Sequence, residues 1–122
     1  MHLPSYTCAC CTLNVEESLS HLFLSCPFAQ ACWLKLDIVF VDADPLLALE
    51  EIKAQLNLPF YLDIIILFCW NIWMQRNGLI FKGVQISTVD CFWCFKHDFA
   101  LVTLRAKTRH KTALLEWLEA LV

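Results

Sequence analysis

The stretch FYLDIIILFCWNIWMQRNGLIFKG, residues 60–83, decides the fold of this chain. Its side chains are apolar on nearly every side of a helix as far as Met74. Ile64 to Ile66 alone would also suit a strand, but the length of the pattern favours a helix. A helix that is apolar all round is normally buried, so we predict a central core helix that ends at Gly83.

Two tryptophans lie in this helix, followed by an arginine and an asparagine: Trp70, Trp73, Arg76 and Asn77. Such a group can form a stacking platform for nucleic-acid bases. Tryptophans three residues apart among so many apolar neighbours more often belong to the core. We therefore expect both tryptophans to be buried, and Arg76 and Asn77 to bind backbone carbonyls where two helices meet.

Further helices are predicted on both sides of the central one. Residues 26–36 carry a proline near their start and apolar side chains at helical spacing. The next helix has Asp44 as N-cap, Pro45 at its first position and its end near Asn57. Its predicted apolar stripe consists of Leu46, Leu49, Ile52 and Leu56.

Two more helices follow the central one. The sequence STVD, residues 87–90, is close to a capping box, and Phe92, Phe95, Phe99 and Val102 follow at helical spacing. Residues 112–122 form a last amphipathic segment. The predicted fold class is therefore all-α, a small helical bundle.

The composition limits the size and the surroundings of this bundle. With 122 residues the chain is long enough for one domain, and hydrophobic residues make up 59% of it against 17% charged residues. So many apolar side chains need cover inside the fold, in an oligomer or against a longer polypeptide. The formal charge of -3 is not that of a strongly basic nucleic-acid-binding protein.

The apolar content does not by itself predict a membrane protein. The longest apolar run, Ile64 to Trp70, is far shorter than the ~20 residues of a membrane span. The first residues, MHLPSYTCAC, lack the features of a secretory signal. We expect an intracellular protein, in the nucleus or cytoplasm, that is not secreted and has no membrane partner; its eight cysteines would be free thiols or metal ligands.

Four of the potential metal ligands near the amino end have the spacing C-x2-C-x9-H-x4-C: Cys8, Cys11, His21 and Cys26. Three thiolates and one imidazole complete the tetrahedral coordination of one structural zinc ion. Cys10 would be a bystander able to replace Cys11. On spacing alone an alternative stays open, in which the cysteines are small buried hydrophobic residues and His21 packs against a short helix.

No group of residues meets the requirements of an active site, and we expect a protein that is not an enzyme and has no small-molecule substrate. Cys91 and Cys94 form a second C-x2-C pair, interpreted as core packing because a thioredoxin-like context is absent. Neighbours on a helix point apart, so Asp98 does not orient His97 for catalysis.

One segment holds four of the nine basic residues: Arg105, Lys107, Arg109 and Lys111. On one helix Arg105 and Lys107 would lie about 200° apart, so the charges form no single stripe. We expect at most weak contact with RNA or DNA from this segment.

The pattern CACCTLNVEESLSHLFLSCPFAQACW, residues 8–33, resembles the zinc-binding domain of plant reverse-transcriptase-like proteins of non-LTR (LINE-type) retrotransposons. The matching positions are Cys8, Cys11, Glu16, Glu17, His21, Cys26 and Trp33. Residues 70–83, WNIWMQRNGLIFKG, resemble the W-x-I-W-x-x-R-N-x-x-I-F stretch that follows in the same polyproteins. The two blocks occur in the expected order.

This resemblance implies a non-catalytic part of a polyprotein, between a polymerase and a ribonuclease H-like domain. It implies a zinc-knuckle-like cap over residues 1–36, packed with a helical region over residues 37–122 as one domain. Adjacent polymerase or ribonuclease H-like domains would be partners, besides weakly bound RNA or DNA. The alternative function is a helical protein-interaction module without metal.

Overall fold

The computed structural model describes residues 7–13, 15–40, 44–105 and 108–121, except the side chains of 108 and 109. It is 73% helical, and the described residues contain no strand, only an isolated antiparallel bridge between Thr7 and Glu16. The all-α prediction is confirmed. A π-helical turn, His21–Ser25, precedes five helices: α1 Pro27–Leu34, α2 Pro45–Leu56, α3 Tyr61–Lys82, α4 Thr88–Arg105 and α5 Thr108–Ala120.

The start and end of α2 follow from local chemistry, as predicted. Asp44 Oδ1 accepts a hydrogen bond from the backbone N–H of Leu46 at 2.9 Å, and Asn57 ends the helix with a left-handed φ of 48°. The predicted position of Leu46 in the apolar stripe is wrong. The buried residues are Ala48 and Ile52, one turn apart, and Leu46 is exposed because it lies about 200° round the helix from Ala48.

The aromatic core joins α1, α3, α4 and α5. Trp33 on α1 contacts Phe68 on α3, with ring centroids 4.5 Å apart, and Phe68 contacts Phe95 on α4 at 5.2 Å. Phe95 and Phe99 both contact Trp117 of α5. The burial of Phe95 and Phe99 confirms the predicted apolar face of α4.

The most extensive helix pair is α3 with α4, and polar side chains fix how the two helices meet. Ser87 Oγ accepts from the backbone N–H of Asp90 at 3.1 Å, which is the first half of a capping box. The backbone N–H of Ser87 donates to Gln75 Oε1 of α3 at 2.9 Å instead of to Asp90. Asn71 Nδ2 donates to Asp98 Oδ2 across the same interface at 3.2 Å.

The central helix α3 ends at Gly83 as predicted, with a left-handed φ of 65°. The prediction that it is buried all round is wrong. Ile64, Phe68 and Ile72 are buried, but Trp70 is 52% exposed and its neighbours on that side are also exposed. The physical reason is that the elements in contact with α3, chiefly α4, the π-helical turn and α2, leave this side of the helix uncovered in the described part of the chain.

Helix α3 is also long and apolar enough to cross a membrane by length and composition, with 28% of the relevant stretch buried. A core helix of a soluble protein passes the same test. The expectation that no membrane is involved therefore stays a prediction.

Candidate metal centre

The four predicted ligands converge at the amino end of the bundle. The ligand atoms of Cys8, Cys11, His21 and Cys26 all lie within 4.8 Å of one another. Cys8 Sγ is 3.8 Å from Cys26 Sγ, and Cys11 Sγ is 3.4 Å from His21 Nε2. Metal–sulfur bonds of about 2.3 Å in a tetrahedron place the sulfurs roughly 3.8 Å apart. The group can therefore bind a metal ion with little rearrangement.

The π-helical turn brings the second pair of ligands together. The backbone N–H of Cys26 donates to the carbonyl of His21 at 2.7 Å, a bond between residues five apart. This wider turn places Cys26 beneath His21, which a regular α-helical turn would not do. Ser18 Oγ accepts from the backbone N–H of His21 at 3.0 Å and begins the turn. The H-x4-C spacing is thus matched to a π-turn, which the sequence analysis did not predict.

The first pair of ligands lies on a short loop closed by backbone bonds. The backbone N–H of Cys8 donates to the carbonyl of Val15 at 2.9 Å, next to the bridge between Thr7 and Glu16. The N–H of Cys10 points at Cys8 Sγ and favours its thiolate. The loop thus directs a backbone amide to the Cys8 sulfur.

Burial makes this group of thiols a poor place for negative charge unless a cation lies among them. Burial raises the pKa of Cys8, and it raises the pKa of Cys26 to about 12. The backbone N–H groups of Phe28 and Ala29, in the first turn of α1, oppose this effect at Cys26. Buried thiolates need a cation, which a bound metal ion provides while those amides stabilise the sulfur from behind.

Cys10 lies next to this site without belonging to the four-residue cluster. Its side chain is buried and contacts Cys8, and burial raises its pKa to about 12. Cys10 is thus a buried core residue beside the four ligands. Its ability to replace Cys11 as a ligand stays a prediction.

A salt bridge ties the metal-binding segment to α3. Arg76 Nη2 lies 2.7 Å from Glu17 Oε1, and Arg76 Nε lies 3.1 and 3.3 Å from the two carboxylate oxygens. The guanidinium also lies 4.7 Å from the Trp73 ring centroid, and its Nη1 donates to Asn77 Oδ1. The prediction that Arg76 and Asn77 bind backbone carbonyls is wrong. A carboxylate matches the two-pronged guanidinium better than single carbonyls do.

The sequence analysis missed this salt bridge because the two residues are 59 positions apart. Arg76 was recognisable only as an arginine in an apolar helix. Such a charge needs a partner when it is partly buried.

The basic residues proposed for nucleic-acid contact are not brought together by the described structure. Arg105 is exposed in the last turn of α4, while Lys111 is half-buried on α5. Lys107 and the side chain of Arg109 lie outside the described residues. Arg105 belongs to α4 and Lys111 to α5, on either side of residues 106 and 107, which lie outside the described part of the chain.

The other candidate residues, Cys91, Cys94, His97 and Asp98, lie in surroundings that do not suit a reactive site. The interpretation as core packing is right for Cys91, which is buried with its free thiol hydrogen-bonded to that of Cys32, but wrong for Cys94, which is exposed. Burial, with Asp98 and Asp90, raises the pKa of Cys94, the reverse of what a reactive thiol needs. Asp98 bonds to Asn71 rather than to its neighbour His97.

No family model, no curated protein and no solved structure matches this chain. The geometry of the four ligands is therefore the main basis for assigning a function.

Proposed function

We propose that this protein is a non-enzymatic helical domain stabilised by one structural zinc ion, of the reverse-transcriptase zinc-binding type. The observation that carries the proposal is the convergence of three cysteine sulfurs and one histidine nitrogen within 4.8 Å. The resemblance of residues 8–33 and 70–83 to the LINE-type retrotransposon domain supports the same assignment.

The donor set favours zinc over other common ions. Thiolates and imidazole are soft or borderline ligands that suit Zn²⁺, whereas Mg²⁺ and Ca²⁺ prefer oxygen ligands. Four protein ligands leave no open position for a substrate or a reactive water. The ion therefore has a structural role and holds the loop of residues 8–11 against the π-helical turn.

In a parent polyprotein, this domain would help to position RNA or DNA beside a polymerase or a ribonuclease H-like domain. The formal charge of -3 argues against strong independent binding to nucleic acid. Arg105, Lys107, Arg109 and Lys111 are the proposed weak contacts. An intracellular location, where thiols stay reduced, suits such a site.

The test is the zinc stoichiometry of the purified, reduced protein, measured by elemental mass spectrometry. We expect one zinc per chain in the wild type, and its loss in His21→Ala and Cys26→Ser. Cys94→Ser is the matched control, because it removes an exposed thiol outside the cluster and should keep the ion. A folded wild type without metal would overturn the proposal, as would equal zinc content in all variants.

A further inference from the structure

Three of the eight cysteines have access to solvent. Cys94 is exposed and Cys11 and Cys69 are half-buried, whereas the other five thiols are buried. Oxidation of a thiol by a peroxide needs both access and the thiolate form. The charge of these three thiols therefore decides which of them an oxidant attacks.

Two of the three accessible thiols stay protonated. Burial raises the pKa of Cys69 to about 12, and burial together with Asp98 and Asp90 raises the pKa of Cys94. Cys11 differs because it is one of the four metal ligands, and a thiol that coordinates a metal ion is deprotonated. In the zinc-loaded protein, Cys11 is thus the one accessible thiolate among the described cysteines.

Cys8 lies where it can react with an oxidised Cys11. Its thiol hydrogen-bonds to that of Cys11 and, at 3.8 Å, to that of Cys26. The sulfur of Cys26, in contrast, contacts Cys8 and the backbone N–H groups in the first turn of α1. Cysteines separated by two residues form disulfides in thiol oxidoreductases, so the spacing of Cys8 and Cys11 permits this bond.

We propose that peroxide joins Cys8 and Cys11 in a reversible disulfide that releases the ion, which makes the metal centre a redox switch. This inference rests on the proposed zinc site. The Cys11 thiolate attacks one peroxide oxygen, the O–O bond breaks, and hydroxide leaves as a sulfenic acid forms. The Cys8 thiolate then attacks the Cys11 sulfur and displaces a second hydroxide, which forms the S–S bond. The two sulfurs lose two electrons to the peroxide oxygens, and the two hydroxides take up two protons to become water.

The switch acts on the metal-binding segment and not on the helical bundle. A disulfide removes two of the four ligands, and His21 and Cys26 alone do not complete a tetrahedral site. The core contact between Trp33 and Phe68 involves no ligand. Loss of the ion therefore frees the loop of residues 8–11 from the π-helical turn while the helices stay packed.

The test treats the purified, zinc-loaded full chain with one equivalent of hydrogen peroxide. We expect release of one zinc per chain, measured with a metal-indicator dye, and rebinding once a dithiol reductant and zinc are added. Proteolysis after Glu16 and Glu17 separates Cys8 and Cys11 from Cys26. After alkylation of the free thiols, mass spectrometry should show the disulfide inside a single peptide.

Three variants identify the thiols that take part. Cys11→His keeps four ligands but removes the accessible thiolate, so zinc release should slow by roughly tenfold or more. Cys10→Ser and Cys94→Ser are the matched controls, because each removes a thiol outside the ligand set, and both should leave the rate of release unchanged. Circular dichroism before and after oxidation should show the same helical content.

Three results would overturn the proposal. The first is zinc release without a disulfide between Cys8 and Cys11, including a bond from Cys8 to Cys26 that joins two peptides. The second is a zinc content that peroxide leaves unchanged, and the third is release that Cys10→Ser or Cys94→Ser abolishes. The zinc content before oxidation tests the metal site itself, so a loaded chain that gives any of these results refutes the redox switch alone.

Discussion

Removal of the Arg76 guanidinium should weaken the packing of the metal-binding segment on α3 and lower the stability of the protein. In Arg76→Met the aliphatic part of the side chain is kept, but Glu17 loses its three close nitrogen contacts. The two side chains are 18% and 15% exposed, which places the pair between a surface salt bridge and a fully buried one.

The expected loss of stability lies between the values for exposed and for buried salt bridges. Exposed pairs contribute about 0.2–1 kcal/mol, and loss of one partner of a buried pair costs about 3–5 kcal/mol. For a partly buried, two-pronged pair we expect Arg76→Met to reduce the free energy of unfolding by about 1.5–3 kcal/mol. Lys82→Met, on the same helix but exposed, should change it by less than about 0.5 kcal/mol.

The assay is urea unfolding of the metal-loaded protein, with a double-mutant cycle of Arg76→Met and Glu17→Gln. The cycle isolates the energy of the pair from the loss of packing on Trp73. We expect a coupling energy of about 1 kcal/mol or more. Additive effects of the two substitutions would refute the argument that this salt bridge fastens the segment to the bundle.

Three further predictions concern the metal site, the core and the nucleic-acid contact. Because burial raises the pKa of Cys8, and raises that of Cys26 to about 12, both thiols are protonated in the metal-free fold and lose their protons on binding. The zinc association constant should therefore rise by about 100-fold or more per pH unit from pH 6 to 8 in competition titrations, and a flat profile would contradict this. Phe68→Ala, which empties a fully buried site between Trp33 and Phe95, should cost about 3–5 kcal/mol in urea unfolding, whereas Phe81→Ala on the surface should cost far less. RNA binding measured by fluorescence anisotropy should be weak and fall with added salt; tight or salt-independent binding would contradict weak phosphate contacts by Arg105 and its neighbours.

The sequence predicts those features of the fold that depend on a few adjacent residues. Asp44 and Pro45 start α2, Gly83 ends α3, and Ser87 caps α4, because each acts on backbone groups within one turn. The ligand set is predictable for the same reason, since the spacing of two ligand pairs limits which atoms can meet.

Other features depend on the tertiary arrangement and could not be read from the sequence. The pattern of α3 shows that the helix is apolar, but not that helices pack on one side only and leave Trp70 exposed. The partner of Arg76 lies 59 residues away, where no local rule applies. The π-turn at His21 replaces α-helical hydrogen bonds with a wider turn that brings Cys26 close to His21. Helix propensities do not predict where such a turn occurs.

The hydrogen bond between Ser87 and Gln75 indicates which part of the chain folds first. It closes the short connection between α3 and α4, which form the most extensive helix pair, from residues only 12 apart. Local contacts of this kind form early, whereas the bond between Arg76 and Glu17 closes a much longer loop. The hairpin of α3 and α4 should therefore assemble first, and the amino-terminal segment should dock on it last. Hydrogen exchange of the metal-free protein should show protected amides in α3 and α4 with rapid exchange in residues 7–13 and 15–25; equal exchange in both regions would exclude this order.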